Sequence, residues 1–155
     1  MGSSSTDFRD ARFWTGDSGL QVWLFLLARE LEQLTARPQW LDEAIAHWRD
    51  HAKSGAIGCV DAALDRFCTS QNRIDLVVAG GNRVLEWLRG QAPYLSKDLL
   101  NSFKVGGRGS RFTKDVDVDY YIRVGTAFVD ILMGRIGPPP PGGMNFINSR
   151  RAPAA

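Results

Sequence analysis

Cysteine and histidine are scarce in this 155-residue sequence, which contains two of each. Cys59 and Cys68 are nine residues apart in a segment that we predict to be one helix, which places them on opposite faces and too far apart for a disulfide with each other. This spacing excludes an intramolecular disulfide as a source of stability. We therefore expect two reduced thiols and a cytoplasmic protein.

The sequence also lacks a large excess of charge of one sign. Lys and Arg number 19 and Asp and Glu 17, so the formal net charge is only +2, which does not indicate a dedicated nucleic-acid or membrane-surface protein. The most apolar window, Leu20–Ala28, is about half as long as a bilayer span, and the first residues lack the apolar run of a secretory signal. We expect neither a membrane nor a nucleic acid as partner.

The most apolar stretch whose spacing fits a long helix is Ile74–Leu88, and we predict that it is the central element. Its apolar face is wide enough to contact neighbours on more than one side. Within it, Gly80 and Gly81 remove side chains where another helix could approach closely. The alternative is a buried strand over Ile74–Ala79, a turn at the two glycines and a shorter helix capped by Asn82.

Apolar residues recur at three- and four-residue steps in most of the remaining chain. This periodicity predicts helices from Asp17 or Ser18 to about Ala36, from Pro38 to about Gly55, from Ala56 to Cys68, a short one after Ser96, and one from Asp115 to Gly134. The alternation in Asp115–Asp119 also fits a strand, but the apolar stripe that continues from Val116 favours a helix with an acidic first turn.

The predicted fold class is all-α. We expect a single orthogonal or bundle-like domain of five to six helices over residues 16–136. A flexible N-terminal arm over residues 1–15 precedes it, and a Pro/Gly-rich tail over residues 137–155 follows it.

The segment Lys104–Lys114 contains three glycines and four basic residues in eleven positions, which predicts a loop. Consecutive glycine amides can form a concave anion site, and the basic side chains would add positive charge for a phosphate or an acidic protein surface. The candidate anion-binding residues are Lys104, Gly106, Gly107, Arg108, Gly109, Ser110 and Arg111. The alternative is a solvated connection between two helices.

The two histidines, His47 and His51, are four residues apart, and Glu43 lies four residues before His47. On a helix these three side chains share one side, a spacing that can chelate a metal ion. The sequence places no further ligand beside them, so a solvated helix edge is the alternative.

The sequence Val105–Ser110, followed by Asp115–Asp119, resembles the glycine-serine loop and the metal-binding carboxylate pair of nucleotidyltransferases. The resemblance implies that Gly109 and Ser110 hold a triphosphate and that Asp117 and Asp119 bind magnesium ions. It makes a nucleotide-binding protein of this type the alternative function.

No complete set of catalytic residues is evident in the sequence, and we expect a non-enzymatic protein without a cofactor. The aromatic residues near both ends suit docking, and core packing explains Trp14 and Trp87 less well than it explains the other tryptophans. The candidate interface residues are therefore Phe13, Trp14, Trp87 and Phe146. The expected partner is another protein or a second copy of the chain. Toxin-neutralising immunity proteins and accessory subunits of larger assemblies are proteins of this kind.

Overall fold

The computed structural model describes residues 2–139 and 145–147, and this part of the chain forms a mixed α/β fold. Its helices are α1 (Asp17–Leu31), α2 (Gln39–Lys53), α3 (Leu64–Phe67), α4 (Gln71–Gly90), α5 (Lys97–Ser102) and α6 (Val118–Leu132). Its strands are β1 (Ser3–Phe8), β2 (Ala11–Gly16), β3 (Tyr94–Leu95), β4 (Val116–Asp117) and β5 (Phe146–Ile147). The all-α prediction is therefore wrong.

The segment predicted as a flexible N-terminal arm is an antiparallel hairpin of β1 and β2, and β5 adds to β2 in parallel, giving the order β1-β2-β5. Side chains alternate between the faces of this sheet, so that Phe8, Phe13 and Thr15 are buried against the helices. The two-residue turn places Arg9 at a φ of 55°, and its N–H donates to Asp65 Oδ1 at 2.9 Å.

The serine-rich strand β1 packs in the interior because its hydroxyl groups can form hydrogen bonds there. Ser4, which is 2% exposed, donates from Oγ to the Asp17 carboxylate and accepts from the Val60 N–H at 3.0 Å. The Thr15 hydroxyl lies 3.3 Å from that of Tyr120. Ser4 and Thr15 are thus buried with hydrogen bonds, which costs far less than burying them unpaired, whereas the buried Thr6 hydroxyl of β1 has no hydrogen-bond partner among the described residues.

The central helix is confirmed: α4 runs without a break through the glycine pair, and the alternative of a strand over Ile74–Ala79 is wrong. The Ser70 hydroxyl caps its first turn by accepting from the Arg73 N–H at 3.3 Å. A Cβ atom at Gly80 would lie 2.6 Å from Leu31 of α1, and one at Gly81 would lie 3.0 Å from Val129 of α6. The two glycines therefore permit a close approach on two flanks.

Most of the helices predicted from apolar periodicity are present. Helix α2 follows Pro38 as expected, and the Ser96 hydroxyl caps α5 by accepting from the Leu99 N–H at 3.1 Å. Helix α1 ends at Leu31, earlier than predicted. In the described ranges, 2–139 and 145–147, no helix combines the length and the apolarity that crossing a bilayer requires.

The predicted helix over Ala56–Cys68 is wrong, because only α3 is helical there. Backbone groups of the preceding loop bond to side chains instead: the Ala62 carbonyl accepts from Trp48 Nε1, and the Ala63 N–H donates to Asp61 Oδ1, each at 2.8 Å. The two cysteines consequently do not share one helix. Both thiols are free, with Cys59 exposed and Cys68 buried.

Two further boundaries differ from the prediction. Val116 and Asp117 form β4, which pairs antiparallel with β3, and the helix begins only at Val118. The Asp117 carboxylate caps that helix by accepting from the Asp119 N–H at 2.9 Å. Of the predicted C-terminal tail, residues 137–139 and 145–147 are described, and the latter include β5; positions 140–144 and 148–155 lie outside the described residues.

Candidate anion site and interaction surface

The basic loop between α5 and β4 is closed at its base by one side chain. Asn101 Oδ1 accepts from the Phe112 N–H at 2.7 Å, and Asn101 Nδ2 donates to the Phe112 carbonyl at 3.0 Å. Both backbone groups of Phe112 are therefore held by a residue of α5. This clamp fixes the return point of the loop.

The glycines hold the middle of the loop against the end of α2. The Gly106 N–H donates to the Ala52 carbonyl at 2.9 Å, and a Cβ atom at Gly107 would lie 2.6 Å from the Gly55 Cα. Gly106, Gly107 and Gly109 have φ values of 85°, 83° and 85°, which glycine adopts readily. The conformation and the close contact both require glycine, so the loop has a defined shape.

A shallow cavity of about 710 Å³, largely open to solvent, lies beside this loop. It is lined by Asp98, Asn101, Lys104, Gly107, Arg108, Gly109, Ser110 and Arg111. All the predicted anion-binding residues except Gly106 are in that list, and the Gly106 amide is used by the Ala52 carbonyl. The sequence analysis missed Asp98 and Asn101, because no local pattern links α5 to the loop that follows it.

The lining of the cavity is predominantly positive. Lys104, Arg108 and Arg111 are exposed, and among the residues that the structure describes none of them forms an ion pair. Asp98 is the one carboxylate in the lining. The arrangement can attract an anion and donate several charge-assisted hydrogen bonds to it.

Lys104 adopts a φ of 55°, directly after the last residues of α5. This left-handed conformation after a helix is usually taken by glycine, and another residue there costs about 1–2 kcal/mol. The chain thus holds a lysine in a conformation that disfavours it.

One of the two aspartates of the nucleotidyltransferase resemblance serves as a backbone acceptor, because the Asp117 carboxylate caps α6 through the Asp119 N–H. The neighbouring Asp115 also accepts from the backbone, with Oδ1 2.9 Å from the Lys97 nitrogen. Within the described ranges, no group of three or more His, Cys, Asp or Glu side chains is placed to hold a metal ion. This finding covers Glu43, His47 and His51, whereas Asp117 and Asp119 are only a pair, and their assignment to a metal ion stays a prediction.

The two histidines bind the backbone of Asp61 instead. His47 Nε2 lies 2.8 Å from the Asp61 carbonyl oxygen, and His51 Nδ1 accepts from the Asp61 N–H at 3.0 Å. Their rings stack with centroids 4.2 Å apart. The bond from Asp61 requires an unprotonated Nδ1 on His51, so the neutral form of that imidazole holds the loop to α2.

Protonation of His51 should weaken the fold. Burial lowers the pKa of His51 below its usual value of 6.5, and His47 lowers that pKa further. The unfolded chain then binds a proton that the folded chain does not, so stability is complete above pH 6.5 and is lost as the pH falls through the lowered pKa. We expect the free energy of unfolding, measured with urea, to fall between pH 7.5 and pH 5.

His51→Asn is the matched control, because its amide oxygen can accept from the Asp61 N–H without titrating. The carboxylates titrate in both proteins, so the difference between the two pH profiles of unfolding free energy measures the contribution of His51. Parallel profiles for the two proteins would contradict this role.

The outer face of the β1-β2-β5 sheet carries two of the four predicted interface residues. Ser5, Trp14 and Phe146 lie in one row across the three strands, and Phe146 is 39% exposed. The Trp14 N–H donates to the Asn145 carbonyl at 2.6 Å, which holds β5 beside β2. Two aromatic residues from opposite ends of the chain are thus neighbours on one surface.

The other two predicted interface residues are placed differently. Phe13 points to the inner face and is 0% exposed, so its assignment to an interface is wrong. Trp87 of α4 is half-buried, and the Arg29 guanidinium lies 4.9 Å from the centroid of its ring. Arg29 therefore partly occupies the face that Trp87 would offer to a partner.

Comparison of the chain with protein-family models, with curated proteins and with solved structures finds no match.

Proposed function

We propose that this chain is a non-enzymatic protein-interaction module that binds another protein through the outer face of the β1-β2-β5 sheet. The observation that supports this proposal is the row formed by Trp14 and Phe146 on the face opposite the buried side of the sheet. Aromatic residues are enriched at the centres of protein interfaces, where they bury much surface at a small entropic cost.

The surroundings of the aromatic pair support the same function. The next row of the sheet carries the Asp7–Arg12 ion pair, and the Ser5 hydroxyl donates to Asp7 Oδ2 at 2.8 Å. Polar groups that already bond to one another suit the solvent-accessible rim of an interface. The proposed partner therefore presents an apolar patch with a polar border.

Immunity proteins that neutralise toxins and accessory subunits of larger assemblies are the proposed classes, because both act by binding a protein. A cytoplasmic location is part of the proposal. Two free thiols in the described chain support it, since reducing compartments preserve thiols.

The proposal predicts that Trp14→Ser combined with Phe146→Ser abolishes binding of the partner. Loss of two central aromatic residues should weaken an interface at least about tenfold. The measurement is affinity capture with the full chain, followed by the dissociation constant of the captured protein for each variant. Sedimentation of the purified chain tests in parallel whether the same face joins two copies.

Tyr94→Ser is the matched control, because it removes an aromatic residue that is 58% exposed on the other sheet. The control variant should bind the partner like the original chain. A monodisperse monomer that captures no protein, or a captured protein that the double variant still binds, would contradict the proposed function.

A further inference from the structure

The lysine that follows α5 has a strained backbone conformation. Lys104 occupies a left-handed backbone position that suits glycine, and it lines the cavity beside the loop. In the described part of the chain its ammonium group forms no ion pair that could offset this conformation. Residues held in such conformations are concentrated at functional sites, and here the strain places a charge at a cavity.

Two arginines add charge at the same cavity. Arg108 and Arg111 are exposed and also lack an ion pair among the described residues, so three cations share a space with the single carboxylate of Asp98. Cations held together without counter-charges repel one another, and a bound anion would relieve that repulsion. Guanidinium groups bind phosphate oxygens with two parallel hydrogen bonds.

Neutral donors accompany these cations. Gly107, Gly109 and Ser110 line the cavity, and the amides of the two glycines donate to no backbone carbonyl within the described ranges. The clamp from Asn101 to Phe112 and the bond from Gly106 to Ala52 already hold the loop in shape. An anion would therefore meet donors that need little ordering on binding.

The lining also indicates the chemical class of the ligand. The cavity is largely open to solvent, and no aromatic or aliphatic residue is in its lining. Its cations and backbone amides therefore favour a ligand that carries negative charge along its length. We propose that this cavity binds a polyphosphate chain of two or three phosphate groups, either as a free polyphosphate or as the phosphate portion of a nucleotide.

The experiment is calorimetric titration of the full chain, without divalent cations, using tripolyphosphate, pyrophosphate, ATP, AMP and sulfate. We expect tripolyphosphate and pyrophosphate to bind and AMP and sulfate to bind at least tenfold more weakly. Equal affinity for ATP and tripolyphosphate assigns recognition to the phosphate chain alone, and tighter binding of ATP assigns the nucleotide as the source. Both results support the proposal.

Arg108→Gln combined with Arg111→Gln should weaken tripolyphosphate binding at least tenfold. Lys114→Gln is the matched control, because Lys114 is an exposed base of the same segment outside the cavity lining. Lys104→Gly should raise the melting temperature and yet weaken binding several-fold, a combination that a purely structural lysine would not produce.

The proposal fails if tripolyphosphate does not bind at millimolar concentration, if sulfate binds as tightly, or if the double arginine variant keeps full affinity. None of these variants alters the β1-β2-β5 sheet. Failure of this site and failure of the proposed protein interaction are therefore separate results.

Discussion

Gly125→Ala is expected to lower the free energy of unfolding by about 3 kcal/mol, the upper end of the usual range for overpacking a core. Gly125 is buried in the middle of α6, and a Cβ atom there would lie 2.2 Å from Cζ3 of Trp23 and 2.7 Å from two further ring atoms. Alanine would otherwise favour a helix over glycine by about 1 kcal/mol. The steric conflict is large enough to reverse that gain.

The Trp23 ring has little room to move away. It is 0% exposed, and its centroid lies 5.6 Å from that of Phe128. On the other side, a Cβ atom at Gly81 would lie only 3.5 Å from the same indole, so α4 encloses it as well. A rigid ring between two helices must shift as a unit, which disturbs both helix contacts.

Gly90→Ala is the control for Gly125→Ala. Gly90 is the last residue of α4, and a Cβ atom there would meet nothing within 4 Å. Urea unfolding followed by tryptophan fluorescence should show this variant to be as stable as the original chain, or more stable by up to about 1 kcal/mol. A Gly125→Ala protein that unfolds at the same urea concentration would contradict the account of this core.

The long helices could be predicted from the sequence because each contains an apolar stripe whose spacing is visible within the helix itself. In α4 the apolar stripe and the glycine pair both indicate contacts with neighbouring helices, and Gly80 and Gly81 do lie where α1 and α6 approach. Such a pattern is complete within about fifteen residues. The correct prediction of this helix follows from local information.

The hairpin could not be predicted in the same way, because its stabilising partners are distant in sequence. Ser4 depends on Asp17 and Val60, and Thr15 depends on Tyr120. The local signal was the spacing of two six-residue runs around Arg9 and Asp10, which fits a two-residue hairpin turn. A serine-rich first strand obscured it, since serine is not typical of strands.

The candidate anion site was predicted in composition but not in geometry. The glycines, the cations and Ser110 are visible in the sequence, and six of the seven candidate residues line the cavity. The hydrogen bonds that hold the loop in shape join it to Asn101 and Ala52, and no local sequence motif indicates these bonds. The strain at Lys104 likewise appears only once the end of α5 is known.

Gln21→Met is expected to lower the free energy of unfolding by about 2 kcal/mol, the usual cost of leaving a buried hydrogen-bonding group unpaired. Gln21 is 4% exposed, and its amide donates to the carbonyls of His51 and Ser54 at 3.0 and 2.7 Å. Both carbonyls lie at the end of α2, where backbone acceptors have few helical partners: the His51 carbonyl also accepts from the Ser54 N–H at 3.3 Å, whereas the Ser54 carbonyl lies past the last turn. Methionine has a similar volume, so the change removes the donor and leaves most of the packing intact.

The effect of Gln21→Met should extend to the basic loop, because Gly106 donates to the carbonyl of Ala52 in the same turn of α2. Hydrogen exchange at the Gly106 amide should therefore accelerate in this variant. Gln33→Met is the control, since Gln33 is exposed and bonds only to the Arg29 carbonyl at 3.4 Å; its stability should change by less than about 0.5 kcal/mol. A stable Gln21→Met protein with unchanged exchange at Gly106 would mean that the loop keeps its shape without support from α1, and the preorganisation assigned to the cavity would then rest on the Asn101 clamp and the Gly106–Ala52 bond alone.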